Sequence, residues 1–448
     1  MNTDVEQIRS SIHEHMPAVR GGLERLIRIP SVSAKGFDPA HVRASAEASA
    51  DLLAQAGLAD VRLLEQDGAH PAVFGELPAP EGTPTLLLYA HHDVQPPGDA
   101  SLWDSPPFEP TEREGRLYGR GSNDDKAGVA VHVGALLAHR GKPPIGLKVF
   151  IEGEEETGSE HLSEFLEEYG DLLAADAIVL ADAGNWKRGV PALGISCRGV
   201  VDCVVEVRTL EYAVHSGVYG GVAPDALTVL ARTLATLHDD EGNVAIPNLA
   251  TAPRPDLELP EDEYRAEVGA TPGLHLVGRG TISERLWSRP AVSVLGIDAP
   301  RVAESSNQLV PVARARVSLR IPPGQDENQA LEVLVRHLEN AVPWGAKVTV
   351  TDGAAAPPYA IRAEGPAYDA ARRALRDAWD HDPVDMGGGG TIPLIAAFGQ
   401  AFPEAAILCT GVEDEDGRSH GENESVHLGE LERGCVAEAL LLSYLAPD

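Results

Sequence analysis

His91, Asp124, Glu156, Asp182 and His420 are residue types that hold divalent cations, and each stands beside a segment able to fix it in place. His91-His92-Asp93 follows the apolar run TLLLYA (85–90), Glu154-Glu155-Glu156 follows GLKVFIE (146–152), and Asp182 follows AIVLA (177–181). Asp124 and Asp125 lie in GRGSNDDKAG (119–128), directly before a helical pattern, and His420 lies in EDEDGRSHGENES. Ligands of open α/β sheets gather at the carboxyl ends of parallel strands. These loops would therefore bring imidazoles and carboxylates to one rim, where a cation would make the crowding of negative charge tolerable. Each piece alone has a plainer reading. A His-x-Asp after a strand is a turn, Asp-Asp before a helix is a cap, a triple Glu is a solvated face, and a histidine in a polar loop is exposed. Their coincidence argues for a metal site.

The elements that must position these groups alternate. Val5, Ile8, Ile12, Val19, Leu23, Leu26 and Ile27 recur at helical steps, in a segment that Pro17 should kink or divide and Pro30 should close. A helix over 41–56 precedes strands at 61–65 and 72–77 and the run 85–90. A helix from 126 to 140, a strand at 146–152, a helix over 159–169 and a strand at 177–181 follow. Such short alternating units predict an α/β layer with a largely parallel sheet. Near 195 the pattern changes: ISCRGVVDCVVEVRT (195–209) alternates with near period two and suits one antiparallel strand. A helix over 225–238, a polar proline-rich stretch to about 273, strands at 291–296, 313–321 and 347–351, and a helix over 326–341 complete an α+β module. AAAPPY (354–359) reads as the return linker. Helix 366–379, glycine loop 387–390, strand 405–409 and helix 428–444 then resume the α/β pattern. One domain is therefore expected to be inserted in another: 1–198 and 355–448 form the outer domain and 199–354 the insert. Residues 239–290 suggest no function.

The whole chain sets limits on its partners. Its 448 residues exceed one ordinary core, and 69 acidic against 36 basic residues leave a formal charge of −33, which disfavours nucleic acid and anionic membranes. Cys197, Cys203, Cys409 and Cys435 form no CxxC pair, so free buried thiols are expected rather than disulfides or a zinc knot. The N-terminus is polar from its start and no run approaches a membrane span; a cytoplasmic location is expected.

YAHHDVQPPGD, WDSPPFEP, GRLYGRGSNDDKAG, EGEEETGS, VHSGVYGG, GGGGTIP and SHGENE, taken in order along nearly the whole chain, resemble the M20 metallopeptidase family. They are most similar to its cytosolic non-specific and carnosine dipeptidase branch. The resemblance implies a phosphorylase/hydrolase-like catalytic domain of the di-metal aminopeptidase type, with the insert serving as lid and dimerisation domain. It further implies His91 and Asp182 on one metal, Glu156 and His420 on the other, and Asp124 bridging. Glu155 would be the general base acting on a metal-activated water, Asp93 would orient His91, and the Asp124–Asp125 peptide would be cis. His92, Asp125 and Glu154 receive no direct metal role. His215 resembles the histidine that stabilises the oxyanion in the neighbouring subunit's site, which implies a homodimer.

For the substrate carboxylate, the same resemblance points to Arg320 in VSLRIPPG and to Gly390 and Thr391 in GGGGTIP. Gln308 stands where animal dipeptidases carry a small hydroxyl residue. One histidine plus carboxylates per ion suits Zn²⁺ or Mn²⁺, with Co²⁺ also compatible. The expected activity is cleavage of dipeptides. An N-acyl amino acid deacylase of the acetylornithine or succinyl-diaminopimelate type shares the same ligands, and a non-catalytic binding protein on the scaffold would be marked by loss of Glu155 or of a ligand.

Overall fold

The strands that carry the acidic loops lie side by side. In the computed structural model, which describes residues 5–390 and 393–447, Gly146–Glu152, Thr85–His91, Ala177–Leu180 and Ala406–Cys409 are consecutive parallel neighbours. Ala72–Leu77 and Ala59–Leu64 extend this sheet antiparallel on one side, and Ala192–Cys197 does so on the other. The central sheet is mainly parallel and buried on both faces, hence its nearly unbroken apolar runs.

Residue alternation assigns the two faces. Leu86, Leu88, Ala90, Leu147, Val149 and Ile151 join the core shared with the helices Val5–Ile27, Lys126–Ala138 and Leu428–Tyr444. Tyr89 and Phe150 point the other way and meet Phe398 at centroid distances of 5.6 and 6.4 Å. The Lys126–Ala138 helix is buried from Lys126 to Leu136, as an apolar helix without a polar face must be. At Gly134 a Cβ would lie 2.6 Å from Cys435 Sγ; the missing side chain lets the two helices approach.

Two expectations need correction. Val5–Ile27 is one helix that Pro17 does not divide. Ile12 on one side of the proline and Val19, Leu23, Leu26 and Ile27 on the other are all buried in the same core, and that packing outweighs the hydrogen bond lost at Pro17. The segment 195–209 is not one strand: Ala192–Cys197 and Gly199–Arg208 separate at Arg198 and join different sheets.

Contacts divide the chain into Met1–Ile195, Ile361–Met386 and Pro393–Asp448 as one unit, and Ser196–Ala360 with Gly387–Ile392 as a second. The second unit has a four-stranded antiparallel sheet in the order Ala291–Asp298, Val312–Ile321, Gly199–Arg208, Lys347–Ala356. Val201, Cys203, Val205 and Val207 bury one face of the Gly199–Arg208 strand, together with Val229 and Leu230 of the Ala226–Ala235 helix and Leu334 and Leu338 of the Glu327–Ala341 helix. All four cysteines are buried and none forms a disulfide. Among the described residues, no helix is long and apolar enough to cross a membrane.

Candidate metal centre

Four loops of the first unit converge at the carboxyl ends of the parallel strands. His91 ends its strand and is fully buried. Asp124 lies beside it: its Oδ1 is 3.0 Å from His91 Nε2, and its Oδ2 is 2.9 Å from His420 Nε2. One carboxylate thus separates two imidazoles, with an oxygen toward each. Glu156 Oε2 lies 3.2 Å from His420 Nε2. Asp182 Oδ1 and Glu155 Oε2 each lie 4.0 Å from His91 Nε2. The distances sort the groups into a His91–Asp182 side and a His420–Glu156 side, with Asp124 between.

The adjacent aspartates do different work. Their peptide bond is cis. Asp125 caps the Lys126–Ala138 helix, accepting from Gly128 N at 3.1 Å and from His91 N at 3.2 Å, as short polar residues do at helix starts. His91, Asp125 and Asp182 also satisfy the spacing for a metal group, as do His91, Asp124 and Glu156. Both Asp125 oxygens already accept backbone N–H groups, which marks Asp125 as the helix cap and leaves Asp124 facing the two histidines.

Burial makes the carboxylates of this site hard to ionise together. Burial, reinforced by Asp182, pushes the Glu155 carboxyl up to about 9. Burial, opposed by His91 and reinforced by Asp124, pushes Asp182 up to about 7. Glu413 is driven to about 8 by burial and Asp124. The imidazoles respond in the opposite sense: hydrogen bonds to Asp124 and Glu156 raise His420 to about 11. Burial lowers His91, but its bonds to Asp124 and Asp93 outweigh that and hold it well above the usual range. The His91 and His420 imidazoles thus offset part of the negative charge of the converging carboxylates. Nitrogen and oxygen donors in this ratio fit borderline or hard divalent cations.

A further set of side chains holds these groups in place. Asp93 Oδ1 is 3.3 Å from His91 Nδ1, and the Asp93 carboxylate also accepts from Ser33 Oγ and from the backbone N–H groups of Glu155 and Glu156. Gln95 donates from its backbone N to Glu156 Oε1 at 3.1 Å and from Nε2 to Oε2 at 2.8 Å. Glu424, fully buried, accepts from Arg120 Nη1 at 2.6 Å and from the backbone N–H groups of Gly121, Asn123 and Asp124. Arg116 makes a bidentate pair with Asp414 at 2.7 and 2.8 Å, anchoring the loop that leads to His420. Sequence reasoning gave no role to Gln95, Arg120 or Glu424, although all lie in the motifs DVQPP, GRLYGRG and SHGENE. Glu413, whose Oε1 accepts from Ser419 Oγ at 2.7 Å, opens the segment EDEDGRSHGENES and was likewise given no role.

The other expected site residues belong to the second unit. His215 is exposed, pairs in register with Gln308, and accepts from Gly217 N at 3.0 Å through Nδ1. Arg320 is half-buried on the Val312–Ile321 strand, and burial lowers its pKa. Gly390 is exposed, and Thr391 lies outside the described residues.

Residues 87–443 match the model of peptidase family M20/M25/M40. The cysteinylglycine-S-conjugate dipeptidase of Corynebacterium striatum is 35% identical over 369 residues, covering 81% of each chain. The human Beta-Ala-His dipeptidase is 28% identical over 376 residues, covering 80% of this chain and 74% of its own. The crystal structure of human carnosine dipeptidase 1 superposes with a TM-score of 0.82 at 25% identity, covering 99% of this chain and 98% of that one. The chain belongs to peptidase family M20/M25/M40, on the side of the family where these dipeptidases fall.

Proposed function

We propose that this enzyme hydrolyses the amide bond of dipeptides, using two divalent metal ions held by His91, Asp124, Glu156, Asp182 and His420. The observation that carries the reading is the Asp124 carboxylate, which presents one oxygen to His91 and the other to His420. In this assignment His91 and Asp182 would hold one ion and His420 and Glu156 the other, with Asp124 available to both. When bound, such ions supply Lewis-acid polarisation of a carbonyl and lower the pKa of a water molecule.

The remaining work falls to the protein. Asp93 fixes the ring orientation of His91 through Nδ1, leaving Nε2 to face the site. Glu155, whose Oε2 stands 4.0 Å from His91 Nε2, takes the proton of the attacking water and delivers it to the departing amine. Arg320, with Gly390 and Thr391, binds the free carboxylate of the substrate, a task suited to a guanidinium fork. His215 donates to the developing oxyanion in the site of a neighbouring subunit, so the active form is a homodimer. Support for that assembly comes from the edge strand Ala291–Asp298, which exposes Val294, Leu295 and Ile297. Zn²⁺ or Mn²⁺ is the expected metal, and a cytoplasmic location completes the proposal.

The test is a panel of dipeptides assayed beside N-acetyl amino acids, before and after chelation. Dipeptide cleavage that disappears on chelation and returns with Zn²⁺ or Mn²⁺ is the expected result. Preferential cleavage of the N-acetyl amino acids would replace the substrate assignment, and undiminished turnover in metal-free protein would remove the mechanism.

A further inference from the structure

The parallel strands deliver chemistry at their carboxyl ends, as open α/β sheets do. Gly146–Glu152 leads to Glu155 and Glu156, Thr85–His91 ends in His91, and Ala177–Leu180 leads to Asp182. The fourth parallel strand, Ala406–Cys409, leads to Glu413, for which neither the ligand set nor the mechanism above has a use. Its loop runs beside that of Asp182. Thr410 N donates to Leu180 O at 3.0 Å, Gly184 and Glu413 pair as a parallel bridge, and Asn185 N donates to Glu413 O at 2.8 Å.

The Glu413 carboxylate is oriented but not neutralised. Its Oε1 accepts from Ser419 Oγ at 2.7 Å, and Ser419 Oγ in turn accepts from Asn123 Nδ2 at 2.9 Å. Its Oε2 accepts no hydrogen bond among the described residues, and no lysine, arginine or histidine pairs with it there. A Cβ at Gly184 would lie 3.8 Å from Oε2, so the glycine leaves that oxygen uncovered on this side. The residue is only partly buried, and after burial the charges of Asp124 and Asp182 are the strongest influences on it. The other acidic side chains around the centre are committed. Asp93 lies 3.3 Å from His91, Glu154 2.9 Å from His161 and Glu424 2.6 Å from Arg120. Glu152 accepts from Tyr89 at 2.6 Å, and Asp125 caps its helix. The groups spaced to hold a metal do not include Glu413.

A dipeptide brings its own cation. Its free amino group stands on the carbon next to the scissile carbonyl, about 2.5 Å from the carbonyl carbon. That ammonium must enter the centre together with the amide, and its desolvation is offset only by a carboxylate not already engaged. We propose that Glu413 is a specificity residue whose Oε2 receives the free ammonium group of the substrate and so selects dipeptides over N-acyl amino acids. The assignment rests on the metal-centre reading above. An N-acyl substrate would set a neutral group against Oε2 and leave the carboxylate without a partner.

The experiment titrates leucine and 4-methylpentanoate, which differ only in the ammonium group, calorimetrically into the metal-loaded full-length protein and its Glu413→Gln and Glu413→Asp variants. Leucine should bind the wild type about tenfold or more tightly than the acid does, as a charge-assisted hydrogen bond allows. Glu413→Gln should remove most of that advantage and leave binding of the acid as it was. Glu413→Asp, which keeps the charge but draws it back, should retain more of it. Thermal unfolding verifies that each variant is folded, and chelator competition verifies that it holds its ions. If Glu413→Gln does not fold, the comparison of Glu413→Asp with the wild type decides. Equal binding of the two ligands to the wild type, or a leucine advantage that survives in both variants, overturns the proposal. So does equal weakening of both ligands, or loss of metal, which would make Glu413 a support of the centre instead. In kinetics, the preference in kcat/KM for Leu-Gly over 4-methylpentanoylglycine should fall about tenfold in Glu413→Gln, chiefly through KM. Absence of chelator-sensitive Leu-Gly turnover in the wild type would remove the hydrolase reading, while the calorimetric comparison still decides the role of Glu413.

Discussion

Replacing Glu424 by glutamine should loosen the metal centre from behind. The carboxylate has no exposure to solvent and accepts from four donors: Arg120 Nη1 and Gly121 N at Oε2, Asn123 N and Asp124 N at Oε1. A glutamine offers one oxygen instead of two. Whichever way the amide turns, an NH₂ group faces two donors, and the Arg120 charge loses its partner in a buried place. Removing one member of a buried ion pair costs about 3–5 kcal/mol. Part of that cost appears as lost stability in urea unfolding. The rest should appear as mobility of the 121–124 backbone, which must hold Asp124 between His91 and His420. Changes to groups that orient ligands weaken metal binding by about 10–100-fold. Competition with a chelator of known affinity would measure that loss for Zn²⁺ and Mn²⁺. Glu424→Gln protein with wild-type metal affinity and a stability loss below about 1 kcal/mol would refute the claim that this carboxylate supports the centre.

Other perturbations reach separate parts of the account. Glu155→Gln should lower kcat by about 10²–10⁴-fold while both ions remain bound; a loss of metal instead would make Glu155 a ligand. Co-expression of His215→Asn with Glu155→Gln should yield mixed dimers more active than either variant alone, and no gain would place His215 outside the partner's site. Gly134→Ala should destabilise by about 1–3 kcal/mol through the 2.6 Å approach to Cys435 Sγ. Adding Cys435→Ala should recover part of that loss in denaturant titrations, and strict additivity would show that the two residues do not interfere. Burial holds His92 at about 4 against an ordinary 6.5, and its folded pKa is therefore the lower one. The stability it contributes is complete above 6.5 and is lost as pH falls through 6.5 toward 4. At 1.36 kcal/mol per unit this amounts to about 3 kcal/mol. His92→Gln should flatten the stability profile in that window; an unchanged acid limb would assign the loss to other groups.

Local pattern exposed the parallel strands because strands buried on both faces must be apolar throughout, as TLLLYA and AIVLA are. It exposed the inserted module because the Gly199–Arg208 strand is buried on one face and alternates. It failed at Pro17, where core contacts on both sides of the proline hold one helix together. It also failed at Arg198, where a strand boundary is set by the two sheets that its neighbours join. At the candidate site, residue types pointed to side chains that the fold brings together, yet Asp124 and Asp125 are chemically identical in sequence. Only the turn of the backbone gives one to the helix cap and the other to the histidines. Gln95, Arg120 and Glu424 were hidden because their partners are backbone amides and carboxylates far away in the chain.

The central claim is that Asp124 is shared by two cations. Crystals of metal-loaded protein, with diffraction recorded on either side of the Zn or Mn absorption edge, would locate the ions directly. The account predicts two anomalous peaks per chain, one between Asp124, His91 and Asp182 and the other between Asp124, His420 and Glu156. A single peak, or peaks that leave the Asp124 carboxylate outside coordination distance, would contradict it.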